Sequence, residues 1–277
     1  MSSIANKIPF DWHKWFPTAN RFKQLDLRLL LALSFGGVCL LGFLRAAWRD
    51  YRTYMAYGPS ELPYSLRGWF ISSALMRLLA TDVFSTDLYE SDPDKRSWLP
   101  QDSPKRERGP RPQLGPHPMP QRQLDQYSPV DVRLRLAEAF SQLVADHPNL
   151  LQFKPSLHEG HTTQSIFIAD DVAASPIAQE MFGEVSHIHA IGDHTVHAVL
   201  APQDCKKVIE MGWGQRHPLD GVEMTRHIFG WTLPKEYILL YAPRTDEELQ
   251  TVMEIVKASA GYMTNSQFDV KQPMRDS

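Results

Sequence analysis

The run Glu184-Val-Ser-His-Ile-His-Ala-Ile-Gly-Asp-His-Thr-Val-His-Ala-Val-Leu200 decides the fold. Apolar and polar residues alternate on both sides of Gly192-Asp193, which predicts two antiparallel strands joined by a turn. Successive strand residues point to opposite faces, so His187 and His189 share one face, and an odd number of loop residues brings His197 onto it. A three-residue loop sets His187 or His189 directly opposite His197. Five of the eleven histidines fall between His187 and His217. Imidazoles exchange protons near neutrality and are the commonest metal ligands. His187, His189, His197 and His217 are therefore the candidate catalytic residues. No metal is expected in the leading reading, and His187, His189 and His197 are the ligand set in the alternative one. Each histidine taken alone has an ordinary alternative as a hydrogen-bonded structural residue.

Downstream, Pro202 to Met211 reads as a helix opened by proline and stopped by Gly212. The stretch Gly212-Trp-Gly-Gln-Arg-His-Pro-Leu219 then reads as a glycine-flexed loop. Trp213 offers a flat surface and Arg216 a cation for an enolate or carboxylate. The expectation is one pocket holding the four histidines with Trp213 and Arg216. Ile238 to Tyr241 predicts a strand, and a last helix runs from Thr245, capped by a Thr245/Glu248 box, to about Gly261. Upstream, Gln164 to Ala169 predicts a strand and Val130 to Ala145 a helix with Val132, Leu136, Phe140, Leu143 and Val144 on one face. Without a βαβ repeat or a glycine-rich phosphate fingerprint, the fold class is α+β with an antiparallel sheet and packed helices.

Seven prolines between Pro100 and Pro120, mixed with Lys105, Arg106, Arg108 and Arg111, exclude regular structure there and predict a solvated basic loop, or a docking segment for a partner enzyme. Leu66 to Ala80 carries Leu66, Trp69, Phe70, Met76 and Leu79 at helical spacing, which suits either a membrane surface or the core. Leu29 to Leu44 is an uncharged run of sixteen residues, about 24 Å as a helix. Snorkelling Arg28 and Arg45 and the following Ala46 to Trp48 extend it to a single-pass anchor, whose short span suits the endoplasmic reticulum. Arginines and lysines on both sides leave its orientation undecided.

With 277 residues, 43% hydrophobic and 22% charged, the chain has room for a sizeable core. A net charge of −3 argues against nucleic acid as a partner, and two cysteines, Cys39 and Cys205, exclude a disulfide framework and a cysteine-based zinc site. The expected segments are a flank (1–28), the anchor (29–48), a membrane-proximal helical part (49–99), the proline-rich basic loop (100–123), the α+β domain (124–265) and a tail (266–277).

Several runs resemble, in order from about residue 45 to 265, those of the fungal luciferases of luminous mushrooms and their non-luminous relatives. They include Arg49-Asp-Tyr-Arg-Thr53, Lys95-Arg-Ser-Trp-Leu99, Gln121-Arg-Gln123, the His187-x-His189 to His197 hairpin, Gly212 to Leu219, Tyr241-Ala-Pro-Arg244 and Gly261-Tyr-Met-Thr-Asn265. The resemblance implies the α+β fold, the membrane anchor and oxygenation with O2, without a recognised cofactor, as those enzymes oxidise 3-hydroxyhispidin, a styryl α-pyrone, releasing CO2 and light. It adds Gln215, Arg122, His161, Tyr241 and Arg244 to Trp213 and Arg216 as expected substrate contacts. The expectation is an oxygenase of an enolic, pyrone-like or polyketide-derived small molecule in fungal secondary metabolism. The hairpin turn departs from the family pattern at Gly192 and His194, so light emission is not part of it. Two alternatives stand beside it: a histidine-ligated metal oxygenase or isomerase, and a membrane-anchored accessory protein without turnover, working with pathway enzymes.

Overall fold

The computed structural model describes residues 27–106, 109–159, 163–230 and 232–268. In chain order the elements are α1 (Leu27–Ala56), α2 (Leu66–Phe70), a π-helical stretch (Ile71–Met76), α3 (Arg77–Leu79), α4 (Asp87–Glu90), α5 (Val130–Asp146), β1 (Leu151–Pro155), β2 (Gln164–Ile168), α6 (Pro176–Glu180), β3 (Glu184–Ile188), β4 (Val196–Val199), α7 (Pro202–Glu210), β5 (Gly214–Arg216), α8 (Glu223–Phe229), β6 (Tyr237–Leu240) and α9 (Asp246–Thr264). The six strands form one sheet in the order β1-β2-β3-β4-β6-β5, antiparallel at every pairing. The α+β reading therefore holds.

The chain divides into two compact units between Asp50 and Tyr51. Before that point, α1 contributes a span from Arg28 that is long and apolar enough to cross a membrane, and none of its most apolar window is buried. An α-helix satisfies its own backbone polar groups, which is what a hydrocarbon environment demands.

In the second unit, α5 and α9 pack on one face of the sheet through residues the 3.6-residue period selects: Val132, Leu136, Phe140 and Leu143 on α5, Val252, Ile255 and Val256 on α9. Ser259 of α9 ties the helix to β4, donating to the Val199 carbonyl at 2.8 Å and accepting from its N–H at 3.1 Å. Thr245 accepts from the Glu248 N–H at 3.3 Å as a cap should. The reciprocal half of the expected box is absent, because the Glu248 carboxylate turns to the Arg244 N–H and guanidinium, a charged donor in place of a neutral one.

Three sequence expectations are corrected. Gly212 to Leu219 is not all loop: Gly214–Arg216 forms an edge strand on β6, with Gln215 opposite Leu239. Its two glycines disguise it, and Gly214 is held close to the chain because a Cβ there would lie 2.3 Å from the Leu239 carbonyl oxygen. The proline-rich stretch is irregular as expected, yet its second half is not solvated. His117, Met119, Gln121, Arg122 and Gln123 are buried, with a bridge between Leu114 and Gln123 and a cis Met119–Pro120 bond. Prolines remove N–H donors, so this backbone can lie across a sheet without competing for the ladder. Gln121 supplies a hydrogen bond instead, from Nε2 to the Arg216 carbonyl at 3.2 Å. Finally, the residues expected on one face of Leu66 to Ala80 are split by the π-helical stretch: Met76 is buried against Met119 and Leu219, while Leu66 and Phe70 are exposed.

Candidate active site

Register assembles the site. Cross-strand partners share a face, and the pairs Ser165–His187, His187–His197, His197–Leu239 and Leu239–Gln215 form one row across five strands. The hairpin is symmetric about Gly192, an odd loop that sets His187 directly opposite His197. His189 follows two residues after His187 on the same face. Its ring centroid lies 5.4 Å from that of His187 and 4.9 Å from that of His197. Tyr237 of β6 stacks on His197 at 4.3 Å, nearly parallel. His217 stands 6.1 Å from His197, ring centre to ring centre.

Residues that sequence reading missed complete the cluster. A bulge between β2 and β3 pairs Ile166 with Ser186 and Phe167 with Glu184, leaving Val185 as the extra residue. Plain alternation sets Glu184 on the face opposite His187; the bulge re-aims it. Its carboxylate meets His187 Nδ1 at 2.8 Å and accepts from Ser165, Ser156 and the Leu157 N–H. Glu159 and His158, from the turn after β1, and Arg122, from the proline-rich cover, come over the same face. Arg122 and Glu159 form a buried bidentate pair at 2.8 and 3.2 Å. Asp193 in the hairpin turn accepts from the Gln123 N–H and from Thr195 Oγ1, while His189 Nδ1 lies 2.8 Å from that hydroxyl and 3.3 Å from Asp193. A carboxylate three residues before a strand histidine and an aspartate in its turn were visible signals for Glu184 and Asp193. Nothing in the sequence marked Glu159.

Burial sets the electrostatics and the partners decide their sign. Desolvation alone raises buried carboxylates, yet His187 and the serine donors hold Glu184 down to about 2. Glu159 is lowered by His189 and Arg122, and Asp193 by His189, Arg122 and the Gln123 N–H, again against desolvation. Burial pulls His187 down, but the bond and charge of Glu184 outweigh it and raise this imidazole above the usual range. Burial depresses His158 and His189, His197 well below the usual value, and His217 to about 3.

Open ring nitrogens distinguish the histidines. His158 Nε2, His187 Nε2, His189 Nε2 and His197 Nδ1 are buried and find no hydrogen-bond partner among the described residues. His217 differs, because its Nδ1 accepts from the Leu219 N–H at 3.1 Å and its ring also bonds the Pro118 backbone. It pins the cover to the sheet and has no free nitrogen for proton transfer.

The chamber bounded by His158, His189, His197, His217, Tyr237, Glu61, Glu159 and Arg122 has a volume of about 20 Å³. One water needs at least about 10–15 Å³, so this space suits a single small species. Arg122 also lines an adjoining cavity of about 560 Å³, with Tyr57, Leu124, Tyr127 and Gly192. That is the size of a small-molecule pocket.

The remaining expected contacts scatter. Arg216 pairs with Ile238 on the other face of the sheet, where it is bound to Asp220 at 2.6 and 2.9 Å. Trp213 donates to the Pro104 carbonyl at 2.7 Å and lines, with Arg244, a separate cavity of about 670 Å³. The expected single pocket is therefore corrected for Trp213 and Arg216 alone: the four histidines gather as expected, with His217 lining the chamber beside His189 and His197, but strand alternation turns Arg216 away from Gln215 and His217. Gln215 and Tyr241 lie on the histidine face but bond to each other at 3.0 Å. His161 lies outside the described residues.

The fold and this chamber define an α+β protein whose sheet carries buried imidazoles and carboxylates on one face. Residues 183–259, which hold the hairpin and the last three strands, match a family described as Luciferase domain. The chain is 38% identical over 229 residues to a luciferase of Armillaria mellea, covering 78% of this chain and 81% of that one. It is 36% identical over 228 residues to a luciferase of Neonothopanus nambi, with the same shares covered. No solved structure matches. The chain belongs to the fungal luciferase family.

Proposed function

We propose that this protein oxidises an enolic, pyrone-like or polyketide-derived aromatic small molecule with O2, the substrate lying in the 560 Å³ cavity and presenting its enol to the histidine chamber. The observation that carries this reading is the meeting of the two spaces at Arg122. Its Nε–H is buried with no hydrogen-bond partner among the described residues, while its other nitrogens hold Glu159. That N–H is a preorganised donor for an enolate oxygen, the role expected of Arg216. His158 is the base: burial keeps the imidazole neutral, its Nε2 has no hydrogen-bond partner among the described residues, and the residue lines the chamber. It takes the enol proton, the enolate carbon forms a C–O bond to O2, and the resulting peroxide anion recovers the proton from His158, so substrate plus O2 gives a hydroperoxide. The walls are polar, so exclusion of bulk water rests on the small volume and the cover. The apolar α1 span suits a single-pass anchor, with the endoplasmic reticulum the expected compartment.

The test is incubation of the purified full-length chain with 3-hydroxyhispidin in air, following O2 uptake, substrate absorbance and photons. Consumption matched by O2 uptake supports the reading, with or without light. Wild-type rates in His158→Ala and Arg122→Gln exclude these roles. If the substrate, and a panel of other enolic pyrones, remains intact in the presence of folded protein, the oxidase reading fails and the accessory reading gains.

A further inference from the structure

We propose that His187, His189 and His197 bind one divalent first-row transition-metal ion. Each offers one nitrogen, and the three lie within 4.8 Å of one another. Each of the three rings also has one buried nitrogen that finds no hydrogen-bond partner among the described residues: His187 Nε2, His189 Nε2 and His197 Nδ1. Three such nitrogens gathered in a protein interior are costly unless something takes them.

The surroundings are those of a ligand set. His187 and His189 spend their other nitrogen, Nδ1, on Glu184 at 2.8 Å and on Thr195 Oγ1 at 2.8 Å. Such outer partners orient metal-binding histidines and raise their basicity. Glu159 Oε1 lies 3.2 Å from His189 Nε2, near enough to serve as a fourth ligand. Around the cluster, the carboxylates Glu159, Glu184 and Asp193, with Glu61 also lining the chamber, face the guanidinium of Arg122, an excess of acidic groups that a dication offsets. Metal–nitrogen bonds of about 2.1 Å at tetrahedral angles set the ligand nitrogens about 3.4 Å apart. From separations of up to 4.8 Å, binding thus asks the rings to close by up to about 1.4 Å. Imidazole donors select zinc, iron, cobalt, nickel or copper over magnesium and calcium. With the three nitrogens engaged, His158 keeps its own nitrogen free, so the site is compatible with the base assigned above and does not depend on it.

The experiment uses untagged full-length chain in detergent, stripped by chelator and titrated with Co2+ as the probe. Expected are about one Co2+ per chain, visible ligand-field absorption of an imidazole site, and displacement by Zn2+. His187→Ala and His197→Ala should abolish the absorption, and Glu184→Gln should weaken binding about tenfold. The exposed His227→Ala should leave it unchanged. Absence of Co2+ from folded wild-type chain overturns the site, as does full binding in a folded His187→Ala/His197→Ala double variant. Should the variants fail to fold, the wild type decides alone: Zn2+ must raise its melting temperature in proportion to the logarithm of ion concentration, and an unmoved Tm refutes the site. Metal binding without enol oxidation would sink only the oxidase reading, and enol oxidation by a folded chain that takes up no Co2+ only this one.

Discussion

The two faces of the sheet are built on opposite principles. Toward α5 and α9, Ile188, Val196, Ala198, Ile238 and Leu240 meet apolar helix faces, and almost every contact is unconditional: any well-packed apolar surface gains from leaving water. On the other face, His187, His189, His197, Glu184 and Tyr237 are covered by irregular chain, with open ring nitrogens and a dense set of buried charges. Burying such groups costs free energy even when they are paired. The comparison assigns stability to the first face and chemistry to the second.

Substitutions can break that division. The largest loss of stability is expected for Ile255→Ala on α9, fully buried against the sheet: about 2–5 kcal/mol in denaturant unfolding. Next comes Glu236, which belongs to neither face. Burial pushes its carboxyl up to about 7, so the folded chain binds a proton more tightly than the unfolded chain. Stability should fall as pH rises from about 4.5 to about 7 and level off above, and Glu236→Gln should remove about 1–2 kcal/mol of that fall. Unfolding curves at pH 5 and pH 8 measure it, and a fall that persists in the variant contradicts the assignment. Thr245→Ala, which deletes the cap of α9, should cost about 1 kcal/mol.

The smallest effect on stability is the sharpest test. His197→Leu replaces a buried imidazole with an open nitrogen by an apolar group of similar size, and stability should change by less than about 1 kcal/mol, in either direction. Enol oxidation and Co2+ binding should both suffer severely. A loss as large as that of Ile255→Ala would show that the histidine face also holds the fold together.

Much of the fold was legible because its signals are local. The hairpin from Glu184 to Leu200 was set by alternation, α5 by its 3.6-residue period, and α9 by its cap, although it runs past the expected end at Gly261 to Thr264, where Asn265 takes the left-handed C-cap conformation. The gathering of His187, His189 and His197 followed from parity of the loop about Gly192. The edge strand Gly214–Arg216 escaped notice because a strand of three residues has too few positions for a period. Misreading it as loop also misplaced Arg216 by one face.

The sequence by itself determined the helices α5, α7 and α9 and the strands β2, β3, β4 and β6, that three histidines share a face, and that α1 is apolar enough for a bilayer. Those properties depend on spacing along the chain and on the transfer preferences of neighbouring side chains. Tertiary structure alone decided what covers that face. It folded the proline-rich stretch over the sheet, closed Arg122 on Glu159, swung Glu184 onto His187 through a bulge, and engaged the His217 ring with the Leu219 N–H and the Pro118 backbone of the cover. The physical reason is that desolvation and ion pairing belong to groups distant in the chain, whose cost and compensation exist only once the chain has brought them together.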